Sequence, residues 1–196
     1  MPDAPPPLAP AEIAQFLRAT VTTLAAELAA LPPPMLAWHP GPGEWCVKSV
    51  LGHLIETEAR GFAGRIRIIL GAQDPQLERW DQEAVAAARR DCAREVRALL
   101  GELATARQDS VRLVEGLSAA DLARGGHHPG VGYLRVGDLL NEWVHHDRNH
   151  VRQILANVQA YVWPHMGNAQ RFTTADQFRE TRRARRAATM SGACAR

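Results

Sequence analysis

Proline and glycine divide this chain into four long segments of helical character, and this division limits the fold more than any other feature. Within each segment, apolar residues recur every three or four positions, which is the period of an amphipathic helix. No stretch shows the convincing alternation of apolar and polar residues that marks a half-buried strand. The sequence therefore predicts an all-α protein, with helices at about 11–31, 47–70, 81–116 and 136–161.

The ends of these helices are set by residues that cannot continue them. Proline lacks a backbone N–H and clashes with the preceding turn, so the three prolines at 32–34 end the first helix and Pro164 ends the fourth. The third helix is the longest and has a weak point at Gly101. A short turn capped by Ser118 follows it, and residues 125–130 are expected to form a loop.

Four helices that each carry an apolar stripe favour a four-helix bundle. The links between the first and second helices and between the third and fourth are long enough to be crossovers, so the residues alone leave the order of helix directions open. A chain of 196 residues suits one domain, which we place at residues 11–170. A proline-rich lead-in covers residues 1–10 and an arginine-rich tail covers residues 171–196. The arginine density of this tail favours a partly disordered end over a fifth helix at 172–189.

The cysteines and the apolar runs bear on where the protein works. Cys46, Cys92 and Cys194 are odd in number and far apart, which suits free thiols in a reducing cytoplasm better than a disulfide framework. We interpret Cys46 as a small residue at the start of the second helix rather than an activated nucleophile, and Cys92 as helix packing. No apolar run approaches the ~20 residues of a membrane span, and the first ten residues lack the regions of a secretory signal. We therefore expect a cytoplasmic protein without a membrane partner.

The formal net charge is only +2, but it is unevenly placed, because the last eighteen residues hold six arginines against a single acid, Glu180. Phosphate neutralisation by such a tail would allow nucleic-acid binding. A solvated tail is favoured over that interpretation, since no aromatic residue interleaves the arginines at 182–186. We do not expect a nucleic-acid partner.

The fourth predicted helix carries the most informative pair of side chains. His146 and His150 are four positions apart, so they share one helix face with Cβ atoms about 5–6 Å apart. Two imidazoles in this arrangement can meet at one metal ion, at about 2.0–2.1 Å each. Both lie at the edge of the apolar arc of the helix, whereas His145 points to solvent. The alternative is that both are boundary residues with ordinary hydrogen bonds, and a metal site would need a third ligand from elsewhere.

Three acidic residues near these helices are candidates for supporting roles. Asp147 falls inside the apolar arc, and because an unpaired buried carboxylate is costly it needs a partner, such as the N–H of a metal-binding imidazole. Glu142 precedes His146 by one helical turn, and Glu56 follows His53 by one turn on the second helix. Either glutamate could carry a proton or could simply be solvated.

Two motifs carry a family resemblance. Residues 44–54, EWCVKSVLGHL, place a tryptophan just before a helix and a His-Leu pair one to two turns into it. Residues 146–154 follow the pattern His-Asp-x-x-His-x-x-Gln-Ile. Either motif alone would be a weak signal, but the pair is fairly specific. Together they resemble the DinB/YfiT-like superfamily over about residues 11–165.

The resemblance implies a four-helix bundle with up-down-down-up topology and a divalent metal ion held by three histidines. Carried over by position, the ligands are His53 from the second helix and His146 and His150 from the fourth. Zinc is the favoured ion for an all-imidazole set, and nickel or iron would fit too. The helical wheel alone places His53 off the apolar arc, as a surface residue. Members of the family often dimerise, so a homodimer is expected.

Three neutral imidazoles leave the ion an open position, which is the layout of a catalytic site. The resemblance then implies a metal-dependent enzyme that acts on a small molecule, either a hydrolase or a thiol S-transferase using a low-molecular-weight thiol. The alternative is a non-catalytic, dimeric helical protein of a stress response with a vestigial or structural metal site. Two positions depart from the family's pattern, since Cys46 replaces a frequent serine and Asn149 a frequent histidine. Asn149 is not an expected ligand, so the three-histidine set is intact.

Overall fold

The computed structural model describes residues 5–173 and confirms an all-α bundle built on four long helical segments. The first segment is α1, Pro10–Ala30, which is followed by a single turn, α2, Pro33–Leu36. The second is α3, Val47–Glu56, which continues through a π-helical turn, Thr57–Phe62, into α4, Ala63–Gly71.

The third and fourth segments are separated by a short helix and a hairpin. The elements in order are α5, Gln82–Arg89; a 3₁₀ turn, Asp91–Ala93; α6, Val96–Glu115; α7, Ala119–Ala123; β1, Gly125–His128; β2, Gly132–Arg135; and α8, Val136–Val162. Two further 3₁₀ turns, Trp163–His165 and Gly167–Phe172, end the described part of the chain.

Two apolar clusters fill the bundle and fix the helix directions. The first joins the N-terminal half of α1 to α4, to the end of α6 and to the start of α8, with the rings of Phe62 and Trp143 stacked 4.9 Å apart. The second joins the C-terminal half of α1 to α3, to the start of α6 and to the later part of α8, through Leu24, Leu99 and Ile154. Helices α1 and α8 therefore run in one direction and α3–α4 and α6 in the other. This is the up-down-down-up order that the resemblance implied.

The third predicted helix is broken near its start, where the sequence indicated one continuous helix. Arg90 adopts a left-handed backbone conformation with φ of 52°, and the chain turns through residues 91–93 before α6 begins. The turn buries Asp91, whose carboxylate accepts hydrogen bonds from Arg89 Nε at 2.7 Å and from Arg94 Nη1 at 3.0 Å. Gly101, the predicted weak point, lies inside an unbroken α6. The break is stabilised by the buried Asp91 carboxylate and its two arginine partners, and no glycine or proline causes it.

The same turn corrects the interpretation of the cysteines. Cys92 lies in the turn rather than in a helix, and its sulfur forms a disulfide with Cys46 at the N-cap of α3. The expectation of free thiols is therefore wrong for this pair. Cys194 lies outside the described residues.

A small hairpin replaces the loop predicted at 125–130. Its antiparallel register pairs Gly125 with Arg135 and His128 with Gly132, whose φ of 81° suits glycine at the turn. A Cβ at Gly125 would lie 2.6 Å from the carbonyl oxygen of Leu134, so the close approach of the two strands requires glycine there. The sequence concealed the strands because glycine and histidine fill β1 and no alternation of apolar residues marks it.

Residues 1–4 and 174–196 lie outside the described residues, and with them most of the predicted arginine-rich tail and of the fifth helix considered there. Within residues 5–173, no helix is both long enough and apolar enough to cross a lipid bilayer.

A buried ion cluster centred on Arg107 joins all four long segments. The guanidinium of Arg107 on α6 donates to both carboxylate oxygens of Asp147 on α8, at 2.5 and 3.2 Å, and to the backbone carbonyl of Leu17 on α1, at 3.1 Å. Its Nε lies 2.8 Å from a carboxylate oxygen of Glu58 in the π-helical turn. Desolvation raises the pKa of Glu58 to about 7, against the opposing attraction of Arg107.

The packing of Asp91 against α3 predicts opposite effects for two glycine substitutions. A Cβ on Gly52 would overlap the Asp91 carboxylate and approach Arg89 Nε at 3.1 Å, whereas nothing lies near a Cβ on Gly101. Gly52→Ala should lower the free energy of unfolding by about 1–3 kcal/mol, because the buried ion pair has to shift. Gly101→Ala should raise it by about 0.5–1 kcal/mol, as for alanine in a helix interior. Urea unfolding measures both, and equal effects at the two sites would contradict the packing described.

The raised pKa of Glu58 predicts a pH-dependent contribution to stability. Because its pKa in the folded state lies above the ordinary value of 4.5, the neutral acid favours the folded state at low pH, and this advantage is lost as the pH rises from 4.5 to about 7. The unfolding free energy of wild type relative to Glu58→Gln should fall over that range by up to about 3 kcal/mol. Urea unfolding at each pH measures it, and Glu115→Gln, at an exposed ion pair with Arg18, is the control. A flat difference for Glu58→Gln would mean that folding does not raise the pKa of Glu58.

Candidate metal site

Three histidine side chains from two helices meet in the bundle. His53 comes from α3, and His146 and His150 come from α8. The Nε2 atom of His146 lies 3.1 Å from Nε2 of His53 and 3.2 Å from Nε2 of His150. His53 and His150 are buried and His146 is half-buried. The potential ligand atoms all lie within 4.8 Å of one another, so these three residues could hold a divalent metal ion.

The orientation of His150 is fixed by a neighbouring amide. Its Nδ1 lies 2.8 Å from the side-chain oxygen of Gln153, and this oxygen can only accept a hydrogen bond. Nδ1 therefore carries the proton, and the lone pair of Nε2 points toward the other two histidines. A hydrogen bond from the outer ring nitrogen is the usual way in which proteins orient a metal-binding imidazole.

The nitrogen spacing fits a single ion. Imidazole nitrogens bind zinc at about 2.0–2.1 Å, so two of them at octahedral or tetrahedral angles are about 2.8–3.4 Å apart. Both measured separations fall in this interval. Hydrogen bonding within the cluster explains the arrangement less well. Nε2 of His146 can donate its one proton to only one of its two neighbours, His53 Nε2 and His150 Nε2, so the other contact lacks a suitable hydrogen bond. The donor set therefore fits a divalent cation.

Aromatic rings enclose His53 from outside its own helix. The ring of Trp45, in the loop before α3, lies 5.0 Å from the His53 ring, and Trp80 stacks on it at 6.1 Å. Trp45 is held in turn by Asn157 of α8, whose amide nitrogen donates to the Trp45 carbonyl at 3.0 Å. Phe62 contacts the ring of His146 at 5.2 Å. The cluster thus lies behind a wall of aromatic side chains.

Burial sets the protonation state of the cluster. Desolvation is the largest cause that lowers the pKa of all three histidines, and for His53 and His146 the pKa falls well below 6.5. The hydrogen bond that His150 donates to Gln153 and the charge of Asp147 oppose the lowering of the His150 pKa. The imidazoles are therefore neutral at neutral pH, which is the form that binds a metal ion.

The predicted supporting acids occupy different surroundings. The buried Asp147 carboxylate bonds Arg107 in the ion cluster, and the described acceptor for an imidazole N–H is Gln153. Both oxygens of Glu56 accept from arginines, one from Arg60 at 2.6 Å and the other from Arg89 at 2.8 Å. Glu142 lies at the surface one turn before His146, where desolvation raises its pKa and Arg65 opposes the change.

The remaining histidines of interest lie apart from this set. His128 is buried in β1, within 3.1 Å of Arg65 Nη2, and His127 is exposed beside Tyr133. His145 is exposed and contacts the Asn149 side chain at 3.2 Å. Asn149, the departure from the family's pattern, therefore faces away from the three-histidine cluster.

Sequence reasoning missed the residues that position the ligands. Gln153 is part of the motif at residues 146–154, but it was assigned no role there. It lies three positions after His150 on the same helix face, and this spacing indicates a contact between the two side chains. Trp80 carries no local signal, because it reaches His53 only through the fold.

The fold and the cluster together define a class, which is the up-down-down-up four-helix bundle with three histidines converging from its second and fourth helical segments. A family model of the DinB superfamily matches residues 15–154. Because this match covers well over half of the chain, the protein belongs to the DinB superfamily.

A solved structure has the same architecture. It is described as YfiT from Bacillus subtilis, a probable metal-dependent hydrolase with an unusual four-helix bundle topology. The TM-score is 0.72 at 17% sequence identity, and the alignment covers 80% of this chain and 91% of that chain. At this identity the likeness establishes the shared fold. No curated protein matches the chain.

The hydrogen bond from His150 to Gln153 predicts a specific loss of metal affinity. Gln153→Ala should weaken binding of zinc by about 10–100-fold, because His150 loses the partner that fixes its tautomer and ring orientation. Gln159→Ala, an exposed glutamine on the same helix, is the matched control and should bind as wild type does. Competition with a zinc-binding dye measures the affinity. Equal affinities for the two variants would show that Gln153 does not orient the ligand.

Proposed function

We propose that this protein is a divalent-metal-dependent hydrolase whose metal ligands are His53, His146 and His150. The observation that carries the proposal is the convergence of three neutral imidazoles with Nε2 separations of 3.1 and 3.2 Å. Family membership and the description of YfiT support it.

The ligand set favours catalysis over a structural role. Structural zinc sites are usually closed by four protein ligands, whereas three histidines leave a position for a small molecule. When bound here, the ion would supply Lewis acidity toward water or toward a thiol, because neutral ligands do not reduce its charge. Zinc is the favoured ion, and nickel or iron would also accept an all-imidazole set.

The surrounding side chains suit a small-molecule substrate. Trp45, Trp80 and Phe62 offer apolar surface beside the ligands, which would bind the apolar part of a substrate and exclude bulk water. Their rings also hold His53 and His146 in place, so the ligand geometry would not depend on the ion alone.

Glu142 is the better of the two candidate proton carriers. It lies one turn before His146 on the same face of α8, and desolvation raises its pKa above the ordinary value, against the opposing charge of Arg65. Glu56 is less suited, because Arg60 and Arg89 occupy both of its oxygens. We assign Glu142 the proton transfer and Glu56 a structural role.

The same experiments also test two alternatives to a hydrolase that the sequence left open. A thiol S-transferase would use the same three ligands, with a low-molecular-weight thiol in place of water. A non-catalytic dimer with a structural or vestigial site would bind metal without turnover. The homodimer and the cytoplasmic location stay predictions.

Metal content is the first test. Purified, untagged wild-type protein should contain about one zinc, nickel or iron ion per chain by mass spectrometry, and His150→Ala should contain almost none. His145→Ala is the matched control, because it removes an exposed histidine from the same helix and should leave the ion in place.

The activity of the metal-loaded and metal-free protein then separates the alternatives. Ion-dependent hydrolysis of an ester or amide panel supports the proposal, and ion-dependent consumption of a thiol with an electrophile supports the transferase instead. Metal binding without turnover in either panel supports the non-catalytic protein. If wild type stays metal-free after ions are added back, the proposal is wrong.

A further inference from the structure

A second reactive cluster lies at the N-terminal end of α3, apart from the three histidines. It consists of Cys46 and Cys92, joined by a disulfide across 46 positions of sequence, with Ser49 and His39 beside the sulfur atoms. The proposed hydrolase uses none of these residues, although Cys46 and Ser49 lie inside the family motif at residues 44–54. The question is whether the disulfide is a static crosslink or a site of chemistry.

The two sulfurs differ in their access to solvent. Cys46 is completely buried at the N-cap of α3, whereas Cys92 is half-buried in the 3₁₀ turn Asp91–Ala93. An external thiolate has to approach the disulfide in line with the S–S bond, so it can reach only a sulfur that has an exposed side. Attack therefore falls on Cys92, and Cys46 is the leaving group.

His39 lies beside the accessible sulfur, and its tautomer leaves the ring nitrogen that faces the sulfur free to accept a proton. His39 Nδ1 lies 2.7 Å from the carbonyl oxygen of Glu44, which can only accept, so Nδ1 carries the proton. The lone pair of Nε2 then faces Cys92 Sγ at 3.4 Å. In the reduced protein this nitrogen can take the thiol proton of Cys92, since a nearby imidazole is a common activator of cysteine.

The buried sulfur is placed to leave as a thiolate. Cys46 Sγ accepts a hydrogen bond from the backbone N–H of Ser49 at 3.4 Å, in the first turn of a ten-residue helix. The Ser49 hydroxyl lies 3.3 Å from Cys46 Sγ and 3.0 Å from Cys92 Sγ, so it can donate to whichever sulfur carries the charge. A helix N-terminus stabilises a thiolate, which makes Cys46 a good leaving group.

We propose that Cys46 and Cys92 form a reversible thiol–disulfide exchange site for low-molecular-weight thiols and their disulfides. In the reducing direction, a small thiolate attacks Cys92 Sγ, the S–S bond breaks, and Cys46 leaves as a thiolate. A second small thiolate attacks the mixed disulfide at the sulfur of the small molecule, which releases the oxidised small disulfide and the Cys92 thiolate, and His39 relays a proton to it. Two small thiols are oxidised and one protein disulfide is reduced, and the oxidising direction reverses each step.

The position of the pair relates this exchange to the rest of the molecule. The disulfide ties the N-terminus of α3 to the turn that breaks the third helical segment. Trp45, the residue before Cys46, packs against His53, so the loop held by the disulfide also forms a wall of the histidine cluster. In a reducing compartment, disulfides are usually transient and take part in catalysis or redox sensing, which agrees with an exchange site in the predicted location.

The first test measures whether the exchange is reversible in the folded protein. Full-length Cys194→Ser protein, with its third cysteine removed, is equilibrated with reduced and oxidised glutathione in varied ratio, alkylated, and weighed by mass spectrometry. Cys46 and Cys92 should pass together from zero to two alkylated thiols as the ratio rises, and back again. Far-ultraviolet circular dichroism should show the same helical signal at both ends.

The second test assigns roles to the two sulfurs. In the same background, Cys46→Ser should form a mixed disulfide with glutathione at Cys92, and Cys92→Ser should react at least about tenfold more slowly at the buried Cys46. Adding His39→Gln to Cys46→Ser should slow the reaction of Cys92 by about tenfold near pH 7, with the difference vanishing at high pH where the thiol ionises unaided. This pH profile separates proton transfer from a packing effect of His39.

Two results would overturn the proposal. If the disulfide is reduced only under conditions that unfold the protein, it is a structural crosslink. The second result is that the thiols stay reduced at every glutathione ratio while the His150→Ala variant still binds one zinc ion. If adding Cys92→Ser to that variant abolishes zinc binding, the cluster of His39, Cys46 and Cys92 is a metal site instead.

Discussion

The buried guanidinium of Arg107 is the interaction on which the arrangement of the helices depends. It is 2% exposed, and it bonds Asp147 on α8, Glu58 in the π-helical turn and the Leu17 carbonyl on α1. Removing such charges from water costs several kcal/mol each, and only close pairing offsets the cost, so helices that shift apart would leave an uncompensated charge. Apolar packing alone tolerates small rotations of a helix, but this cluster does not.

The Arg107 ion cluster also sets the orientation of the helix face that carries His146 and His150. Asp147 follows His146 directly and precedes His150 by three positions, so the rotation that brings its carboxylate to Arg107 fixes where both imidazoles point. The π-helical turn begins where the hydroxyl of Thr57 donates to the carbonyls of His53 and Leu54, both at 3.0 Å. The π-helical turn thus places Glu58 in the core beside Arg107, and it directly follows the helix that presents His53.

The extent to which the sequence predicted the histidine cluster differs between its three members. His146 and His150 share a helix, and their spacing alone placed them on one face. His53 could be identified only through the family motif, because a helical wheel assigns burial from the apolar neighbours on the same helix. His53 is buried instead by Trp45 from a loop and Trp80 from a distant segment. The helix ends marked by proline were predicted well, because proline stops a helix through local geometry that needs no contact with distant segments.

The largest failure of sequence reasoning lies at the turn between α5 and α6, and the same turn carries much of the unexpected chemistry. No glycine or proline marks it, because the break is stabilised by Asp91 packing on Gly52 and by the arginines around that carboxylate. An unbroken helix would not place Cys92 in the turn that meets Cys46. Helix α3 therefore presents His53 to the histidine cluster on one side and Cys46 to the disulfide at its N-terminus, and both depend on contacts with segments distant in sequence. A pattern confined to one helix could reveal neither.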